Sequence, residues 1–101
     1  MNGQNPQPQP NQIQIKATDE AMRGVYANAM QARHNKEEFC LDFLTLQPPQ
    51  GALSARIFTS PGHFKRIVLA LQDSLKKYEN TYGEIEMANA PKNDVGFVDR
   101  Q

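Results

Sequence analysis

The sequence predicts an α+β fold: a four-stranded antiparallel sheet in meander order, with one long C-terminal amphipathic helix packed on one face. Two observations carry this. Short alternating segments separated by turn residues run from Gln12 to Thr59, and an apolar stripe then recurs at steps of three and four from Phe64 to Tyr82. At 101 residues the chain has room for one domain. The β4α body spans 12–85. A Gln/Asn/Pro-rich tail at 1–11 precedes it and is expected to be disordered, having nothing apolar to bury. The spacing of a Pro-rich docking ligand is absent from it. A mixed polar segment at 86–101 follows as a flexible tail, in which Val95, Phe97 and Val98 offer docking residues to a partner or to the body.

Gln12-Ile13-Gln14-Ile15-Lys16-Ala17-Thr18 alternates polar and apolar, as a half-buried strand does. Asp19 to Gly24 is a polar connection with room for one helical turn. Val25 to His34 reads as the second strand and Asn35-Lys36-Glu37-Glu38 as a turn. Phe39 to Leu46 is the third strand, with Phe39, Leu41 and Phe43 on one face. Two prolines make Gln47–Gly51 a loop, and Leu53 to Thr59 is the fourth strand. Folding this last hairpin about Pro49 sets Leu41 opposite Ile57 and Phe43 opposite Ala55, with Asp42 opposite Arg56 on the other face. A one-residue slip would set apolar against polar along the pair. Each matched pair contributes about 0.2–1 kcal/mol, enough to choose the register.

The helix is predicted from Pro61 to Tyr82. Ser60 suits the N-cap, Pro61 the first helical position and Gly83 the C-cap. Phe64, Ile67, Val68, Leu71, Leu75, Tyr78 and Tyr82 form one stripe, with most charges opposite. At 1.5 Å per residue the helix is about 33 Å long, against about 23 Å for a seven-residue strand. Its last turns, with Tyr78 and Tyr82, are therefore expected to overhang the sheet and need another partner.

Charge excludes several functions. Eleven basic and eleven acidic residues cancel, which makes nucleic acid an unlikely partner and leaves no electrostatic membrane anchor. The longest apolar run, Ile67 to Leu71, is too short to span a bilayer. Met1–Pro6 has neither a cationic start nor an apolar signal core, so a cytoplasmic location is expected. Cys40 is the one cysteine and has no internal disulfide partner.

No constellation of residues points to catalysis, a metal or a cofactor, and a non-enzyme is expected. His34 and His63 are the only histidines, and zinc needs three or four protein ligands. His34 reads as a strand-end residue bonding the Asn35–Glu38 turn, Cys40 as a half-buried structural thiol, and His63 as a surface residue. Asp42 and Arg56 make either a cross-strand ion pair on a sheet face or a register-setting pair in a subunit interface. Asn28 is either an amide fixing a strand or an interface contact. Lys65, Arg66, Lys76 and Lys77 form a solvated helix face, with no interleaved aromatics to stack bases.

The second face of the sheet carries Cys40, Leu44, Leu46 and Phe58, with Ala27 and Ala29 beside them. Such a patch is unusual in a monomer, and a domain of this size is marginal alone. A homo-oligomer, most simply a sheet-to-sheet dimer, or an accessory subunit of a larger complex answers both problems. The expected interface comprises Cys40, Asp42, Leu44, Leu46, Arg56, Phe58, Tyr78 and Tyr82.

The core from Val25 to Ile85 resembles the bacterial and archaeal domain-of-unknown-function family three-four-six-seven. The residues that carry the resemblance are Tyr26-Ala27-Asn28, His34, Glu38-Phe39, Leu41-Asp42-Phe43, Ser60-Pro61, Leu71-Gln72, Lys77-Tyr78-Glu79 and Tyr82-Gly83-Glu84-Ile85. Arg33 and Cys40 stand where smaller or apolar residues are usual in that family. The resemblance implies this sheet-and-helix fold and no defined activity. Through the family's gene neighbourhood it implies a link to RNA polymerase. Small sheet-plus-helix proteins of this kind also resemble SecB-type export chaperones, which implies a holdase for unfolded polypeptides as the second functional reading.

Overall fold

The computed structural model describes residues 11–98. Its elements are α1 (Asp19–Arg23), β1 (Ala29–His34), β2 (Phe39–Gln47), β3 (Gln50–Thr59) and α2 (Pro61–Tyr82). The strands form one antiparallel sheet in the order β1-β2-β3. The architecture is α+β, a three-stranded meander followed by a C-terminal helix. The disordered tail expected at 1–11 lies, apart from Asn11, outside the described residues, as do residues 99–101.

The fourth strand expected at Gln12–Thr18 is not formed within the chain. That segment has no strand structure, and Ile13 and Ile15 are both more than 80% exposed (82% and 83%). The reason is energetic. Burying two isoleucines gains about 3–6 kcal/mol, whereas ordering a seven-residue strand costs roughly 7–14 kcal/mol in backbone entropy. Alternation alone does not offset that cost without a covering layer. The polar connection does become a helical turn, α1, capped by Thr18 Oγ1 accepting from Ala21 N at 3.0 Å. Gly24, at φ 74°, ends it in the left-handed region that glycine tolerates.

The expected strand from Val25 begins only at Ala29. Residues 26–28 instead cross the end of β2. Asn28 N donates to Leu44 O (2.9 Å), and Thr45 Oγ1 donates to Tyr26 O (2.7 Å). Asn28 Nδ2 donates to Leu46 O while Leu46 N donates back to Asn28 Oδ1 (3.0 and 2.8 Å). The exposed amide thus continues the ladder with side-chain atoms and fixes the strand.

In the β2–β3 hairpin Leu41 faces Ile57, Asp42 faces Arg56 and Phe43 faces Ala55, the register read from the sequence. Beyond Phe43 the pairing shifts by one residue, so that Leu44 faces Leu53 and Gln47 faces Gln50 across a turn with a cis Pro48–Pro49 bond. The shift is a bulge at Ser54. Ser54 Oγ and Thr45 Oγ1 lie 2.7 Å apart, and since Thr45 donates to Tyr26 O, Ser54 donates to Thr45. The bulge keeps Leu53 on the same face as Leu44 and Arg56.

The sheet therefore has two faces. The first carries Met30, Ala32, His34, Phe39, Leu41, Phe43 and Ile57. The second carries Gln31, Arg33, Cys40, Asp42, Leu44, Leu53, Arg56 and Phe58. Among the described residues the buried ones are Cys40, Leu41, Asp42 and Leu44, all on β2, the central strand, with Asp42 fully buried.

Helix α2 has the bounds and caps that the sequence predicts. Ser60 Oγ accepts from His63 N (3.2 Å), and Gly83, at φ 99°, closes the helix with its N–H on Glu79 O (2.9 Å). Its packing differs from the expectation. The Phe64 ring stacks on Phe39 at 3.9 Å, and Ile67 and Val68 are half-buried, but the stripe from Leu71 onward is exposed. Among the described residues the extensive element contacts are β1 with β2 and β2 with β3. Beyond Val68 the helix does not lie on its own sheet, and it is joined to β3 by the single residue Ser60. That residue is extended (φ −80°, ψ 158°) and followed by a proline of fixed φ. No helix among the described residues is long and apolar enough to cross a membrane.

Candidate functional site

On the second sheet face, Asp42 is 0% exposed and accepts from two arginines. Arg56 on β3 grips it with Nε on Oδ1 (2.7 Å) and Nη2 on Oδ2 (2.9 Å), a bidentate fork. Arg33 on β1 adds Nη1 on Oδ2 (2.7 Å) and sends Nη2 to Cys40 Sγ (3.3 Å). The Cys40 thiol lies 3.5 Å from Asp42 Oδ1. The Arg56 bond, then the Arg33 and Cys40 bonds, hold the Asp42 carboxyl well below the usual carboxylate range against the opposing effect of burial. In return Asp42 raises the pKa of Arg56. Every lone pair direction of this carboxylate is engaged, so it is a structural acceptor with no capacity left to act as a base. No buried side-chain N or O among the described residues lacks a partner.

Arg33 is the member that sequence reasoning missed. The tight turn between His34 and Phe39, held by Asn35 Oδ1 accepting from Glu37 N and Glu38 N (2.8 and 2.9 Å), places Arg33 directly opposite Cys40. Arg33 thus stands diagonal to Asp42 on the same face. The parity of that turn was a readable signal. The turn is bonded by Asn35 and not by His34, whose ring stacks on Phe39 at 5.1 Å. His34, Phe39 and Phe64 form a continuous aromatic stack that anchors the start of α2 to the sheet.

The residues expected at an interface fall into two groups. Cys40, Asp42 and Leu44 are buried within the chain, and Leu46 is half-buried. Part of their cover is the C-terminal segment. The Phe97 ring lies over the Arg56 guanidinium at 5.5 Å, and a groove lined by Leu44, Leu46, Leu53, Val95, Phe97 and Val98 separates this segment from the hairpin. Phe58, Tyr78 and Tyr82 are exposed, the two tyrosine rings lying 4.9 Å apart. Among the described residues no three His, Cys, Asp or Glu side chains come close enough to hold a metal ion.

The family model described as "Protein of unknown function (DUF3467)" matches residues 1–87. The chain belongs to the DUF3467 family. No curated protein and no solved structure matches it. The DUF3467 match takes in both the Asp42 cluster and the whole of α2.

Proposed function

We propose that this DUF3467 chain is a non-catalytic protein-association domain that works as a homo-oligomer or as an accessory subunit of a larger complex. The observation that carries the reading is unburied apolar surface. Leu71, Leu75, Tyr78 and Tyr82 on α2 and Met30, Ile57 and Phe58 on the sheet are all 46% exposed or more. A soluble chain that leaves this much apolar area in water gains by covering it with protein.

The test is purification of the tagged chain from its host at moderate salt, with light scattering for its mass and mass spectrometry for what accompanies it. A defined oligomer, alone or in fixed stoichiometry with one complex, is expected. RNA polymerase is the first complex to look for, given the family link. A monodisperse, folded monomer with no companion overturns the proposal.

The second reading is a SecB-like holdase for unfolded polypeptides. It draws on Leu53 and Phe58, exposed on the sheet face opposite the helix, and on the free outer edges of β1 and β3, where an extended chain can add by backbone pairing. A mixed set of unfolded clients in the same purification, with suppressed aggregation of unrelated proteins, favours it over the first.

A further inference from the structure

We infer that α2 covers the sheet of a second copy of this chain. Its stripe from Leu71 to Tyr82 lies on the partner's first sheet face, the one carrying Met30 and Ile57, and the partner's helix does the same in return. This rests on the association reading above and names its surface and its partner.

Each chain has both halves of a two-layer α+β core and, among the described residues, joins them only over the first turns of α2, at the Phe39–Phe64 stack and the half-buried Ile67 and Val68. The helix stripe is bare beyond Val68, with Leu71 64% and Tyr82 74% exposed. On the sheet, Met30 and Ile57 are about half exposed although their face is the one that anchors the helix start. Within the chain the helix parts from the sheet after Val68. A second copy supplies to each surface what its own chain withholds, and one two-fold operation satisfies both chains, as in a domain swap. Pairing the two helices with each other would leave both sheet faces bare. The segment from Leu71 to Tyr82 is about 18 Å long and so covers about five residues of strand.

The areas agree. The six residues to be covered, Leu71, Leu75, Tyr78 and Tyr82 on the helix and Met30 and Ile57 on the sheet, are 46–74% exposed. At roughly 200 Å² for a large side chain they bring about 650 Å² per chain, or about 1,300 Å² for two copies, within the range of a standard interface. The helix needs such cover for its own sake, because none of its residues is buried and helices in proteins draw most of their stability from packing an amphipathic face.

Two measurements on the full chain test this. Sedimentation equilibrium of the wild type should give a dimer, and Leu75→Asp should weaken it about 30-fold or more, the effect of losing a hot-spot residue. The second measurement mixes differently tagged chains, one carrying Ile57→Cys and the other Leu71→Cys, Leu75→Cys or Tyr78→Cys in turn. Buried Cys40 stays as it is, and the wild type serves as control. A cross-linked heterodimer in at least one pairing is expected. A wild-type oligomer with no heterodimer in any pairing overturns the docking and leaves association standing through another surface. A folded wild-type monomer overturns both.

Discussion

Along β2 both local pairing and burial close within the chain. Leu41 faces Ile57, Phe43 faces Ala55, Asp42 meets Arg56 of β3 and Arg33 of β1, and the four buried residues among those described all lie on this strand. In α2 only the local level closes. Both caps are made and the stripe is continuous, yet none of the 22 residues is buried. The hairpin draws its stability from contacts between strands, whereas the helix holds a complete set of end bonds and a face with no counterpart. The difference teaches that local specification and tertiary satisfaction are separable.

The largest effect that sharpens this contrast is expected at Asp42. Asp42→Ala leaves two guanidiniums and a thiol around an empty acceptor position, and Tm should fall by roughly 10 °C or more. The same residue predicts acid sensitivity. Its folded pKa is depressed, so the stabilisation is complete above the ordinary Asp value of about 4 and is lost as pH falls below it. A urea titration series from pH 6 to pH 2.5 should show this loss in the wild type, and Asp42→Asn should flatten it.

Next in size is Leu41→Ala, which opens a cavity at the one buried leucine on the helix-bearing face. It should cost about 2–5 kcal/mol in denaturant unfolding. If stability resided equally in the two regions, exposed Leu69→Ala would match it. A change within about 0.5 kcal/mol is expected there instead.

The smallest effect is at the helix start. Ser60→Ala removes the bond to His63 N and should cost about 1 kcal/mol. Far-ultraviolet circular dichroism should show the loss as fraying of α2 with the sheet intact. Collapse of the sheet as well would break the separation between the two regions.

Much of this was legible in the residues. The alternation around Asp42 and Arg56 gave the outer half of the hairpin register, and Ser60-Pro61 with Gly83 gave both ends of α2. The bulge was missed because a continuous register set Thr45 against Leu53. That polar–apolar mismatch was the readable clue, and the extra residue Ser54 resolves it by pairing Leu44 with Leu53. The Gln12–Thr18 strand was overread, since period two describes what a segment does when a neighbour covers it and not whether the neighbour is present. The reach of α2 was overestimated for a related reason. A stripe states that a helix needs an apolar surface, but the direction in which it leaves Ser60 decides which surface it meets. Arg33 was overlooked as a third member of the Asp42 cluster because the turn before Phe39 had not been used to fix parity.

The joint at Ser60 has a mechanical consequence. With Thr59 in the sheet and Pro61 in the helix, α2 behaves as a rigid lever about 33 Å long mounted on one residue. A 10° change in the direction of that mount sweeps Tyr82 through about 6 Å, more than one helical turn of 5.4 Å. Small torsional adjustments at Ser60 thus translate into whole-residue steps at the far end. A substitution at this one position can redirect the helix while leaving both the sheet and the helix themselves unchanged.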